Sequence, residues 1–295
     1  MNAPDVTLII PTQGRRDSLL AALLSARRQD HPSLEIVVVD DAVDGVDWRQ
    51  TPELACCLAD PRIRVVPFHQ GRGCAAAKNA GWRVARGRWL CYLDDDNTCA
   101  PDRVSRQLAC AEATGSPVVL AAFTVWVGAR RRPRQCDCQE FRGDDLLLEA
   151  APDTNVLFHR REDFVGWDED LGTVDDACLF QALILHYGLR VVPNVPDSLV
   201  DYVAHDGSRA NLGGKRFRSG QRRLLIRWSR SYSPRARRIL LLRSLIALLK
   251  YRPGGWLRLA ALGCRLLCLG GLREWRVLAN ATGVKLPIIR RWMIT

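Results

Sequence analysis

Acidic residues all but vanish from this chain after residue 214. Residues 215–295 carry 20 Lys or Arg against one acid, Glu274, whereas residues 1–214 carry 23 against 31, so a net charge of +19 follows one of −8. Such an asymmetry excludes a self-contained neutral surface for the tail and points to a polyanionic partner, an anionic membrane or a nucleic acid. Ordered cysteine spacing is also missing. The 11 cysteines are odd in number and scattered, and Cys136 and Cys138 have no second pair at zinc-ligand spacing. Both facts speak against a disulfide framework and a structural zinc site, and they suit a reducing compartment. No apolar signal segment precedes Val6, in keeping with a cytoplasmic location.

The tail also lacks an apolar run fit to span a bilayer. Trp256 to Leu272 is interrupted by Arg258 and Arg265, seven residues apart and so nearly superposed on one helix face, and it contains Gly263, Gly270 and Gly271. With Arg273 extending the basic stripe and Trp256 and Trp275 near the ends, the pattern fits an amphipathic helix lying in the membrane plane. A helical appendage packed on the rest of the protein or on another subunit fits it too. Arg235 to Lys250 gives a further helical pattern.

The first 214 residues have a globular pattern, within a chain that is 47% hydrophobic and 25% charged. Short β-rich runs at Val6–Ile10, Leu34–Val39, Ile63–Phe68 and Trp89–Leu93 alternate with helical patterns. This alternation predicts a mainly parallel sheet with ligands at the carboxyl ends of its strands. Pro11-Thr12, Asp40-Asp41, Gly71 to Gly73 and Asp94-Asp95-Asp96 all fall at such ends. Further on, the pattern predicts a helix over 102–113, a strand over 118–127, a solvated basic hairpin or loop at Arg130–Arg134, a helix over 177–187 and two short strands at 189–192 and 199–203.

The acidic triplet is the pivot. Three adjacent carboxylates repel one another and call for compensating charge, which a hard divalent cation with oxygen ligands supplies; a solvated acidic turn is the simpler alternative. Extended geometry would put Asp94 and Asp96 on one side and Asp95 on the other. Asp175-Asp176 stands before the 177–187 helix, where an acid serves as an N-cap without further explanation. Gly71-Arg72-Gly73-Cys74-Ala75-Ala76 matches a dinucleotide-binding GxGxxA with Asp94 about twenty residues on, so an NAD(P)-binding oxidoreductase is a second reading. It is weakened by the position of the glycines after the third strand. A non-catalytic polyanion-binding protein is a third, and nucleic-acid binding by the tail would fall steeply with salt.

Five runs, in order, resemble the family 2 nucleotide-sugar glycosyltransferases of the GT-A fold: Val6 to Thr12, Val37 to Asp41, Ala76 to Gly81, Gly87 to Asp96, and Gly166-Trp167-Asp168-Glu169 with Asp175-Asp176. The resemblance spans residues 5–212. It implies a GT-A catalytic domain over 1–214, with 215–295 as a basic helical appendage. The implied reaction is an inverting transfer from a nucleoside-diphosphate sugar, a UDP-sugar foremost, to a hydroxyl acceptor on a saccharide or lipid-linked glycan. In residue terms it implies Asp41, with Asp40 beside it, on the nucleotide base; Pro11, Thr12, Gln13 and Gly14 as the loop under the base; and Lys78 on the nucleotide or a nearby acidic loop. Gln13 stands where many relatives carry an aromatic. Asp96 is implied as the ligand of Mg²⁺ or Mn²⁺, with Asp94 and Asp95 on ribose or metal-bound water and His205 and Asp94 as further metal contacts. Asp176 is implied as catalytic base, with Asp175 and Trp167 on the acceptor side. Lys78 reads otherwise as a solvated lysine, His205 as a loop histidine and Trp167 as core packing. The basic tail would then hold the protein on the inner face of the cell membrane, with no nucleic-acid partner.

Overall fold

The computed structural model describes residues 3–43, 49, 51–134, 139–142, 153–161, 166–170 and 175–204. The chain divides into two units, Met1–Ser208 and Arg209–Thr295, and every described residue belongs to the first. His205, Cys136, Cys138 and the basic region from residue 215 lie outside the described residues.

Ten strands form one mixed sheet. In chain order they are β1 (Val6–Thr12), β2 (Leu34–Asp40), β3 (Ile63–Pro67), β4 (Trp89–Tyr92), β5 (Asn97–Cys99), β6 (Val118–Val127), β7 (Arg130–Arg134), β8 (Glu140–Arg142), β9 (Phe158–Arg160) and β10 (Val191–Ala204). The spatial order is β3-β2-β1-β4-β9-β6-β10-β5, with β7 paired to β6 and β8 to β10. Strands β3, β2, β1 and β4 are parallel, and β9 enters antiparallel to β4. Among the described residues five helices accompany them: α1 (Arg16–Arg27), α2 (Pro52–Leu58), α3 (Cys74–Val84), α4 (Arg103–Thr114) and α5 (Asp175–His186).

The alternation of side chains along β1 and β2 sorts the core into two halves. Val6, Leu8 and Ile10 join Ile36 and Val38 against Leu19 and Leu23 of α1, Leu54 of α2 and Val104 and Leu108 of α4. Ile9, Val37 and Val39 face the other way, with Ala75 and Ala77 of α3 and Leu179, Phe180 and Leu183 of α5. Both faces are covered, which is why β1 and β2 are apolar almost throughout and fully buried. The exception is Glu35, 2% exposed, which accepts from Thr7 Oγ1 at 2.8 Å, Arg86 N at 2.9 Å and Nε at 2.8 Å, and Arg64 Nη2 at 3.0 Å. Burial pushes its carboxyl pKa upward, but the Arg86 and Thr7 hydrogen bonds outweigh it and hold it below the usual range.

Three elements differ from the sequence pattern. β10 is one strand of 14 residues, not two short ones; its register against β6 shifts between Val195, Ser198 and Val200, beside Pro196. A bulge accommodates Pro196 within the strand. α5 begins at Asp175, two residues early, so Asp176 lies inside its first turn. β5, only three residues long, pairs antiparallel with β10 just past the acidic triplet and returns the chain to the sheet. The basic run at Arg130–Arg134 is the second strand of a hairpin with β6.

Two contacts hold β4 in place, one against β1 and one against β9. A methyl group on Gly87 would come within 2.5 Å of Thr7 N and 2.6 Å of Val6 C, both backbone atoms. His159, buried in β9, places Nδ1 2.7 Å from the Arg160 carbonyl and Nε2 3.0 Å from Tyr92 Oη, so Nδ1–H donates and Nε2 accepts from the tyrosine. Burial disfavours the imidazolium and brings the His159 pKa down to about 4.

Gly87→Ala should therefore lower the unfolding free energy by about 2–3 kcal/mol through overpacking, read as a lower urea midpoint at unchanged slope; an unmoved midpoint would show that β4 has room to shift. His159 gives a pH signature. Below its ordinary value of 6.5 the unfolded chain binds a proton that the folded chain refuses until about 4. The stability is complete above the upper value and is lost as pH falls through this window, by at most about 3 kcal/mol. His159→Gln should flatten the decline; parallel curves for the two proteins would contradict the assignment.

Candidate active site

From β1 the chain winds outward through β2 and β3, then crosses back to place β4 on the other side of β1. The crevice of such a sheet opens at this reversal, outside the carboxyl ends of the two diverging strands. Thr12 ends β1 and the acidic triplet follows β4. The two are joined directly: Thr12 Oγ1 donates to Asp95 Oδ2 at 2.7 Å and accepts from Gly14 N at 3.0 Å. Gly14 has φ +83°, the left-handed conformation this tight turn needs. Pro11 and Thr12 are buried and Gln13 is exposed at the mouth.

On the next strand, Asp40 and Asp41 are both buried. Asp41 Oδ1 accepts from Gln70 N at 3.0 Å and Gly71 N at 2.7 Å, and Oδ2 from Gly73 N at 3.4 Å. Asp40 Oδ1 accepts from Ala42 N at 3.2 Å, and His69 Nε2 lies 3.8 Å from Asp40 Oδ2. The glycine loop thus turns its amides onto a carboxylate of the protein, which removes the dinucleotide reading. In a GxGxxA site those amides face a pyrophosphate, and the loop follows the first strand; here it follows β3 at the sheet edge.

The triplet does not continue β4 as an extended segment, so the expected alternation fails. Asp95 and Asp96 share Arg15, and Asp94 turns the other way. Arg15 Nη2 pairs with Asp95 Oδ1, its Nε lies 3.4 Å from Asp95 Oδ2, and its Nη1 is 3.1 Å from Asp96 Oδ2. Asp95 is 2% exposed, and desolvation pushes its pKa up against the pull of Arg15 and Thr12. Asp94 meets Lys78 Nζ at 3.4 Å, while Asn155 Nδ2 donates to its Oδ2 at 2.9 Å and Asn155 Oδ1 accepts its backbone N–H at 2.6 Å. Desolvation acts upward on Asp94 also, but the Lys78 ammonium, Asn155 and Arg15 outweigh it and hold its pKa below the usual carboxylate range.

Lys78 is no solvated lysine. It is 2% exposed, on the first turns of α3; its Nζ donates to Thr154 Oγ1 at 2.9 Å, stands 3.8 Å from Asp176 Oδ1 and lies 4.6 Å from the centroid of the Trp167 ring. The Thr154 hydroxyl in turn donates to Asp176 Oδ1. Asp94, Lys78, Thr154 and Asp176 thus form one connected group. Trp167 is 4% exposed and packs edge-on against Tyr92, with ring centroids 5.2 Å apart, so it forms part of the floor beneath Lys78. Its turn is pinned by Asn79, whose amide exchanges hydrogen bonds with the Trp167 backbone at 2.9 and 3.0 Å and donates to Glu169 Oε1 at 2.8 Å. Asp175 is the first residue of α5.

Sequence reasoning missed Arg15, Thr154 and Asn155. Arg15 sits in an ordinary helix-opening basic pair, and Thr154 and Asn155 lie in a 3-10 turn, Thr154–Val156, within a stretch without periodicity. Asp153, which accepts from Asn155 N and Nδ2 at 3.0 and 2.8 Å, has its pKa raised by burial and by the charge of Asp94.

A cation bridging this loop to a diphosphate must fit the donors present. Among the described residues no three carboxylate, cysteine or histidine side chains converge as a ligand set. The donors are hard carboxylate oxygens, and Asp96 has a quarter of its side chain open to solvent. That set fits Mg²⁺ or Mn²⁺ held by one or two carboxylates with substrate phosphates and water completing the shell.

Comparison with known proteins agrees with this geometry. The profile of Glycosyl transferase family 2 matches residues 7–184. The succinoglycan biosynthesis protein ExoO of Rhizobium meliloti is 34% identical over 162 residues, 55% of this chain and 45% of that protein. The Escherichia coli enzyme WfaP, a UDP-Glc:alpha-D-GlcNAc-diphosphoundecaprenol beta-1,3-glucosyltransferase, is 27% identical over 103 residues, 35% of this chain and 39% of the other. The chain thus aligns with less than half the length of either curated relative. Staphylococcus aureus TarS 1–349, in its UDP-GlcNAc complex, superposes with a TM-score of 0.65 at 15% identity, over 94% of this chain and 79% of that one, and shares the GT-A fold. With the family profile spanning more than half of its residues, the chain belongs to glycosyl transferase family 2.

Proposed function

We propose that this chain is a divalent-cation-dependent, inverting glycosyltransferase that moves a sugar from a UDP-sugar to a hydroxyl of a saccharide or lipid-linked glycan in envelope polysaccharide synthesis. The observation that carries the reading is the Asp94–Lys78–Thr154–Asp176 connection, which sets a carboxylate on α5 beside the acidic loop after β4. Membership of the family, the names of ExoO and WfaP, and the UDP-GlcNAc bound by TarS support the donor and acceptor classes.

In this reading the base lies over the loop Pro11 to Gly14, with Asp40 and Asp41 at its hydrogen-bonding edge. Asp41 already orders the 70–73 loop, and a carboxylate offers about four acceptor sites, so room remains for a base N–H. Asp96, with Asp94 nearby, would hold Mg²⁺ or Mn²⁺, which supplies Lewis-acid stabilisation of the departing diphosphate. Asp176 takes the proton of the acceptor hydroxyl as that oxygen attacks the anomeric carbon and the bond to the diphosphate breaks. The ammonium of Lys78, 3.8 Å away, orients Asp176, and the Thr154 hydroxyl fixes one of its oxygens. A single displacement inverts the anomeric centre. His205 would add a contact on the metal or phosphate, and Trp167 and Asp175 would shape the acceptor side. Among the described residues no helix is long and apolar enough to cross a membrane; the basic 215–295 region would instead bind the anionic cytoplasmic leaflet.

Calorimetric titration of UDP with Mn²⁺ and with EDTA tests the donor site. Binding should require the metal in the wild type, and Asp96→Ala should abolish that requirement along with most of the affinity; equal binding with EDTA would sink the metal reading. Asp176→Asn should keep UDP affinity within a few-fold and slow sugar transfer about 10²–10⁴-fold, the usual range for losing a general base. Wild-type transfer rates in that variant would remove Asp176 from the chemistry.

A further inference from the structure

The two cations facing the acidic loop are unlike each other. Lys78 is buried with its carboxylates. Arg15 joins a 2%-exposed Asp95 to a 25%-exposed Asp96 while its own side chain is 56% exposed. A guanidinium presents a planar fork, so it bridges two carboxylates in a way an ammonium does not. Its hold on the two differs. The Asp95 end is shielded and reinforced by Thr12, whereas the Asp96 end at 3.1 Å is open to water, where an ion pair contributes little.

We propose that Arg15 is an exchangeable counter-cation of the acidic loop: it neutralises Asp96 until a divalent ion takes that carboxylate, and so it sets how tightly metal binds before the donor arrives. This rests on Asp96 as the metal ligand, as proposed above. Asp95 and Asp96 share the single charge of Arg15, so this pair of carboxylates is left with one negative charge that Arg15 does not neutralise. A cation at Asp96 in direct contact with its oxygen takes the place that Arg15 Nη1 holds, because the guanidinium and a metal ion repel and compete for the same lone pairs. Release of that one end leaves Arg15 anchored on Asp95, on the side of the loop where a diphosphate enters. Arg15 thereby couples the two binding events: free protein disfavours metal, and donor phosphates, by offering Arg15 another anion, favour it.

The test is Mn²⁺ binding to the full chain, followed by the room-temperature EPR signal of free Mn²⁺, without nucleotide and then with saturating UDP. Arg15→Gln should bind Mn²⁺ more tightly than wild type without nucleotide, by up to about five-fold, and Arg15→Lys should fall between, since one ammonium covers a single carboxylate. With UDP present the gain should shrink or reverse. Asp96→Ala separates the failures. If Mn²⁺ binding depends on Asp96 but is the same in wild type and Arg15→Gln, the role of Arg15 is overturned and the metal site stands. If Asp96→Ala binds Mn²⁺ as wild type does, the metal reading falls and the Arg15 proposal with it. Matching thermal unfolding of the variants keeps a folding defect from counting as either result.

Discussion

A buried ammonium group governs the geometry of this site. Lys78 projects from α3 into a space bounded by the loop after β4, the Thr154 turn and the first turn of α5, and it touches a polar group on each. Burying an unpaired charge would be strongly unfavourable, and burying Asp94 alone would push it toward protonation. Paired, Asp94 is held below the usual carboxylate range by the Lys78 ammonium and Asn155. Trp167 completes the arrangement from below, its ring face toward the ammonium and its edge toward Tyr92 at the end of β4. The fold supplies the rest. Because β1 lies between β2 and β4, Thr12 meets Asp95 at the reversal of winding, and the polar loops gather there.

The same logic of paired charge extends across the mouth. The buried end of the acidic loop is satisfied by fixed groups, Lys78, Asn155 and Thr12, and the open end by Arg15, a group that water can reach. A site that binds a diphosphate with a metal ion, as proposed, would benefit from this gradient: fixed where orientation matters and open where ligands would enter. Asp41 plays the corresponding part on the base side, spending its carboxylate oxygens on the amides of the 70–73 loop and so holding that loop in one conformation.

Much of this was legible in the sequence, and the physical reason differs from part to part. Strands β1 to β4 announced themselves because strands buried on both faces read as unbroken apolar runs, and their ends were marked by proline, glycine or acid. The positions of Asp40, Asp41 and the acidic triplet followed from those ends, and those of Lys78 and Asp176 from the family resemblance. The partners of these residues did not. Thr154 and Asn155 belong to a one-turn helix without periodicity, and their contacts to the site lie 22 to 76 residues away in the chain. Arg15 lies at a helix start where a basic residue has no special local meaning. The strand β10 read as two short runs because a bulge is a property of pairing, invisible in one strand alone. The alternation assigned to Asp94 and Asp96 failed since the chain leaves the sheet after Tyr92, and turn geometry then decides which carboxylates share a cation.

The central claim is that the Asp94 to Asp96 loop is where a divalent ion and the donor diphosphate meet, next to Asp176. Pulsed electron-nuclear double resonance on protein loaded with Mn²⁺ and UDP measures this most directly. The account predicts a ³¹P coupling characteristic of phosphate in the Mn²⁺ coordination shell, present in wild type and lost in Asp96→Ala. A UDP complex that forms with Mn²⁺ bound but shows no ³¹P coupling, or one whose coupling survives loss of the Asp96 carboxylate, would contradict it.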